Sequence, residues 1–209
     1  MDFTAARKAM VDSQVRVNDV TDRGLHAALL AVPRERFCAP DRAFSAYAEV
    51  GPEIAAGRRL MQAREVAKLL QALDARPGET ALAIAGPYAA AVLARMGVTV
   101  TAQEADQAVF DVVGPALAEA RVAAVTQPLA QPHGQGWDMI VSEGAVAVRP
   151  DAWLAALRPG GRLAVVERPG RVGKAVLYVS GEHGVSRREL FDASADVLAE
   201  MTPAPSFAL

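Results

Sequence analysis

Apolar residues recur along this chain in two rhythms, a helical spacing of three and four and short unbroken runs. Leu25, Ala28, Leu29 and Val32 make a stripe that stops at Pro33, with Thr21 or Asp22 placed to cap its start. Val66, Leu69, Leu70 and Leu73 repeat that spacing within Gln62 to Leu73 and predict an inward-facing helix. Phe3, Ala6 and Met10, with Gln14 near the same face, predict an amphipathic helix over 3–15. Between the last two of these helices in the chain, Pro or Gly at 33, 40, 51, 52 and 57 marks an irregular layer wrapped over a core.

Unbroken runs take over from Thr80. The segment 80–86 reads as a buried strand, 87–97 as a helix closed by Gly97, and 98–106 as a second strand ending in acid. Further helices are expected over 105–120 and 150–157, the latter ending at Arg158-Pro159-Gly160-Gly161. Strands are expected over 121–127, 137–142, 162–167 and 175–180. A polar loop fills 127–136, a hairpin connection 170–173, and the tail 185–209 is expected to add one or two strands. Strands alternating with helices define an α/β class: a doubly wound, mostly parallel sheet with an antiparallel C-terminal edge. The expected organisation is a single domain over 1–209, in which 1–75 forms a helical and irregular cover on the sheet of 78–209.

Composition narrows the function classes. A net charge of -2 gives no general attraction to nucleic acid or to an anionic membrane surface. No apolar stretch is long enough to span a bilayer, the N-terminus lacks a signal-like apolar core, and the lone Cys38 suits a reducing compartment; a cytoplasmic protein is expected. With aromatics at 5%, the core must be built from Ala, Val and Leu.

Candidate chemistry gathers around the strand–helix–strand unit, a cradle that usually presents several glycines and free backbone N–H groups to a nucleotide-like ligand. Here the turn offers Gly86 alone, followed by Pro87, which has no N–H. Glu104, at the end of the second strand, is placed to accept bonds from ribose hydroxyls, or alternatively to start the next helix. Glu143 lies at the C-terminal edge of its strand, where such folds place their sites; a helix-start role is the alternative. Arg58, Arg59 and Arg64 form a basic cluster suited to an anionic group or, more simply, to a solvated face. His26, His133 and His183 show no ligand spacing, so no metal is expected, and no residue stands out as a catalytic nucleophile.

These pieces together resemble the protein-L-isoaspartate O-methyltransferase family. The resemblance is carried by Val32-Pro33-Arg34-Glu35-Arg36-Phe37, by Ala46-Tyr47-Ala48-Glu49, by the GRRLMQA segment at 57–63 and by LRPGGRLAVV at 157–166. It implies a Rossmann-like class I methyltransferase fold, S-adenosyl-L-methionine as methyl donor and isoaspartyl-containing proteins or peptides as partners. A homodimer is compatible with it. Carried over by position, Gly86, Tyr88 and Glu104 fall on the cofactor side, while Arg59, Met61, Gln62 and Glu143 fall on the substrate side.

The departures fall on working positions. Where the family reads close to VLEIGTGSGY, this chain has Ala83 for the acid, Ala85 for the first glycine and a shorter loop. Met61 replaces a serine, Arg59 a threonine, Ala63 a proline, and Gln127-Pro128 an Asp-Gly pair. Three readings follow: a homologue whose methyltransferase activity is lost or greatly weakened, an active enzyme, or a remodelled small-ligand or protein-binding module. The changes to the cofactor loop favour the first.

Overall fold

The N-terminal part is helical and irregular, in a computed structural model that describes residues 1–203. Helix α1 (Phe3–Met10) passes into a π turn at Val11–Val15, so the helix expected over 3–15 changes pitch midway. Helix α2 (Arg23–Ala31) is capped by Asp22, whose carboxylate accepts the Leu25 amide at 3.0 Å. A small hairpin of β1 (Glu53–Ala55) and β2 (Arg58–Arg59) interrupts the irregular layer. Its turn holds Ala56 and Gly57 at φ 50° and 76°, the left-handed geometry a tight hairpin needs. Helix α3 (Ala63–Leu73) buries Val66, Leu69, Leu70 and Leu73 as its spacing predicts.

The sheet begins with β3 (Thr80–Ile84), α4 (Pro87–Arg95), β4 (Thr99–Glu104), α5 (Gln107–Glu119) and β5 (Ala123–Thr126). It continues through β6 (Trp137–Val146), α6 (Asp151–Ala155), β7 (Leu157–Glu167), β8 (Gly173–Gly181) and β9 (Gly184–Ala193). The strand order is β5-β4-β3-β6-β7-β8-β9; pairing is parallel as far as β7 and antiparallel from β7 to β9. Alternation along β3 splits the core. Ala81 and Ala83 pack with α3, α4 and α5, whose small residues allow close approach. Leu82 and Ile84 pack on the opposite face with Trp153 of α6.

Two expectations need revision. First, β6 runs to Val146, past the strand expected at 137–142, because Ala145 and Val146 pair with β7 after a register shift. Second, Arg158–Gly161 belongs to the start of β7, with Leu157 paired to Trp137; a Cβ on Gly161 would come within 2.8 Å of the Trp137 carbonyl. The tail gives β9, one strand of the one or two expected, after which residues 194–203 cross back as a strap. Its Leu198 amide donates to the Ala145 carbonyl at 2.9 Å, and the Ala145 amide donates to Asp196 at 2.8 Å. The expected end of the tail, PSFAL, lies outside the described residues. Among these, no helix is long and apolar enough to cross a membrane.

Candidate cofactor corner

The sheet reverses its winding between β3 and β6, and the crevice beyond their C-terminal ends is where open α/β sheets bind ligands. The chain leaves β3 through Ala85 at φ 51°, a left-handed conformation that costs an alanine about 1–2 kcal/mol and a glycine almost nothing. Gly86 follows at φ -139° as the N-cap of α4, with Pro87 in the first turn, as the sequence predicts for a helix start. Two of the amides here are already taken. Ala85 donates to the Gln103 carbonyl at 2.8 Å. Ala89 donates to Glu143 Oε1 at 2.8 Å. Glu143, reaching in from β6, thus fills the anion position that the helix N-terminus offers.

Glu104 ends β4 with 1% of its surface exposed. Its Oε2 accepts from Arg58 Nε at 3.3 Å, and the same guanidinium donates through Nη2 to the Ala85 carbonyl at 2.6 Å. Arg58 therefore bridges the end of β4 to the turn after β3. Burial raises the pKa of Glu104 above the ordinary carboxylate value, and Arg58 opposes the rise. Burial raises Glu143 as well, against the Ala89 amide, Arg34 and Arg58. Each acid keeps one buried oxygen, Glu104 Oε1 and Glu143 Oε2, without a partner among the described residues.

The other expected site residues divide. Tyr88 is fully buried, edge-on to Phe37 at 5.6 Å between ring centroids and 4.7 Å from the Arg34 guanidinium; burial pushes its hydroxyl up to about 12. Met61 is buried and lines a cavity beside the corner, while its carbonyl accepts from Arg34. Gln62 is the N-cap residue of α3, with its Oε1 buried and unpartnered. Arg59 is half exposed at the mouth of that cavity, 4.0 Å from Asp196. The basic cluster does not stay together on a solvated face: Arg58 turns inward because its guanidinium meets Glu104 and a backbone carbonyl. Among the described residues no group of acids, histidines or cysteine is arranged to hold a metal.

Sequence reasoning missed Glu65 and Gln103, and read Arg58 only as one member of a basic cluster. Gln103 is fully buried; its amide donates to Pro128 and Gln131, and its oxygen accepts the His133 amide, all at 2.8 Å. It pins the 127–136 loop beside Glu104. Its place in an alternating strand gives no hint of that role. Arg58 follows the hairpin turn at Ala56 and Gly57, and only the tertiary structure brings it to Glu104.

The crevice is reduced to two cavities. One, of about 150 Å³, is lined by Met61, Gln62, Glu65 and Glu143. The other, of about 240 Å³, is lined by Glu104, Asp106 and Leu129. Arg58 and Asp196 belong to the walls of both. Neither reaches the ~300 Å³ at which pockets for drug-sized ligands begin. With the Ala89 amide given to Glu143 and Glu104 bridged to Arg58, the residues present do not fit an adenosyl sulfonium as they stand.

The strand order, the crevice and the helix-start turn define a Rossmann-like class I methyltransferase fold. No protein-family model matches the chain. It is 35% identical over 179 residues to the protein-L-isoaspartate O-methyltransferase of Methylorubrum extorquens (strain PA1), covering 80% of this chain and 76% of the relative. It is 31% identical to protein-L-isoaspartate O-methyltransferase 2 of Rhodopseudomonas palustris (strain HaA2), covering 88% and 89%. The fold superposes with a TM-score of 0.78 on a Plasmodium falciparum structure assigned to this activity and solved with S-adenosyl-L-homocysteine, at 14% identity over 93% of this chain and 98% of that one. The chain belongs to the protein-L-isoaspartate O-methyltransferase family.

Proposed function

We propose that this family member has kept the architecture and given up tight binding of S-adenosylmethionine, so that isoaspartyl methyl transfer is absent or strongly reduced. The observation that carries the reading is Arg58, which occupies Glu104 and the Ala85 carbonyl with one guanidinium. Methyl transfer to a carboxylate asks little of acid–base residues, since the nucleophile is already ionised at neutral pH. It depends on holding donor and acceptor together in a dry site. A corner that cannot hold the donor therefore has no other residue to compensate for it.

Calorimetric titration with S-adenosylmethionine and S-adenosylhomocysteine tests this directly. No heat of binding is expected at millimolar ligand; a micromolar dissociation constant overturns the reading. Methyl transfer is then measured on an isoaspartyl peptide beside an ordinary aspartyl control.

A second reading, an active repair methyltransferase of damaged proteins in the cytoplasm, is favoured by one observation. Glu104 Oε1 is unpartnered and Arg58 sits on a two-residue strand, so displacement of that side chain exposes an acid ready for a ribose. Under this reading the titration shows binding, and isoaspartyl peptide is methylated in preference to the control.

A further inference from the structure

Beside the corner that Arg58 closes, the 150 Å³ cavity has an acidic wall. Glu143 and Glu65 both line it, each only 3% exposed. Glu143 accepts the Ala89 amide on Oε1, and its buried Oε2 has no partner among the described residues. Glu65 accepts the Ser194 amide and hydroxyl on Oε1, both at 3.1 Å, and no donor among the described residues reaches its other oxygen. Gln62 adds a buried Oε1 without a partner. Asp196 stands exposed at the mouth, loosely opposed by Arg59 at 4.0 Å.

The charge and donor inventory selects a ligand class. Three carboxylates line the cavity against two guanidiniums, and that of Arg58 is shared with Glu104 on its far side. A group that satisfies this wall must bring positive charge and several N–H donors. A primary ammonium brings three donors on one compact charge; a quaternary ammonium brings none, and an organic anion meets two buried carboxylates. At about 150 Å³ the cavity lies well below the ~300 Å³ of pockets for drug-sized ligands, so the carbon stem must be short. Leu60 and Met61 supply apolar wall for it. We propose that this cavity binds a primary ammonium group carried on a short alkyl stem.

The proposal goes beyond the closed-corner reading, because it requires neither a methyl donor nor its absence. The same chemistry is supplied by a free alkylamine or by a lysine side chain, so both are used. Full-length protein is titrated with n-butylammonium and with Nα-acetyl-lysine methylamide, following backbone amide shifts by NMR; n-butanol and butyrate serve as controls. Saturable shifts around Glu65 and Glu143 are expected from at least one ammonium compound and from neither control. Glu143→Gln and Glu65→Gln should each weaken binding about tenfold or more, as for a lost charge-assisted bond. Should Glu143→Gln fail to fold, Glu65→Gln decides alone. Absence of saturable shifts with both ammonium compounds, equal binding of n-butanol, or unchanged affinity in the folded variants overturns the proposal. The S-adenosylhomocysteine titration decides the closed-corner reading separately, whichever way the amine titration falls.

Discussion

Arg58 and Glu104 lie 46 residues apart in the chain and meet at 3.3 Å over the end of the sheet, the arginine 15% exposed and the glutamate 1%. The pair closes the corner by charge compensation. Removing either partner leaves the other in a place where water reaches it poorly, and removing Arg58 also joins two cavities that share it as a wall.

Arg58→Ala should therefore lower stability at neutral pH by about 2–3 kcal/mol, just under the ~3–5 kcal/mol for breaking a fully buried pair, since the arginine is not wholly enclosed. The same variant should gain affinity for S-adenosylhomocysteine relative to the parent. Denaturant melts and calorimetry read the two effects. A variant as stable as the parent, with no change in ligand binding, would show that the bridge does nothing.

Ala85 offers a test of backbone strain. Ala85→Gly relieves a left-handed alanine, worth about 1–2 kcal/mol, and loses a buried methyl and some unfolded-state restriction of similar total size. The net change should be near zero. Ala83→Gly, buried in the middle of β3, has the same losses and no relief, so it should cost about 1–2 kcal/mol more. Equal costs at the two positions, measured by urea unfolding, would argue that Ala85 is unstrained.

The strap is held on β6 by a close approach at Gly144, where an added Cβ would fall 2.3 Å from Leu198 Cδ2. Gly144→Ala should destabilise by about 1–3 kcal/mol and loosen residues 194–203. Limited proteolysis should then cut the strap sooner than in the parent. An unchanged cleavage pattern and melt would mean that Leu198 simply turns aside.

Buried acids set the pH dependence. Glu65, Glu104 and Glu143 are all raised above the ordinary value of 4.5, burial being the largest cause in each. Raised carboxylates bind more protons folded than unfolded, so their contribution is full below the unfolded pKa and is lost as pH rises through the folded one. Asp138 works the other way: burial pushes it up, but bonds from Thr80 and Arg158 outweigh this and hold it low, so its contribution is lost as pH falls through its lowered value. Thermal midpoints should rise as pH falls from neutral toward about 5, and Glu143→Gln should flatten that rise. Midpoints that climb steadily from pH 5 to 8 contradict the assignment.

The sequence alone determined the alternation of strands and helices, because apolar spacing reports which residues share a face. It located α3 through Leu69, Leu70 and Leu73, the turn through Gly86-Pro87, and the acid at the end of β4. It also showed that Ala85 stands where a flexible glycine is usual. It could not give the occupant of the corner. Arg58 reads locally as one of several surface arginines, and Glu143 as an acid at a strand end. Only the sheet order β4-β3-β6 brings Glu143 to the Ala89 amide, 54 residues away, and only the small hairpin turns Arg58 onto Glu104. Helix and strand periodicity arise from neighbours along the chain, whereas the pairing of buried charges depends on which distant strand ends share a low-dielectric crevice. That choice belongs to the tertiary structure.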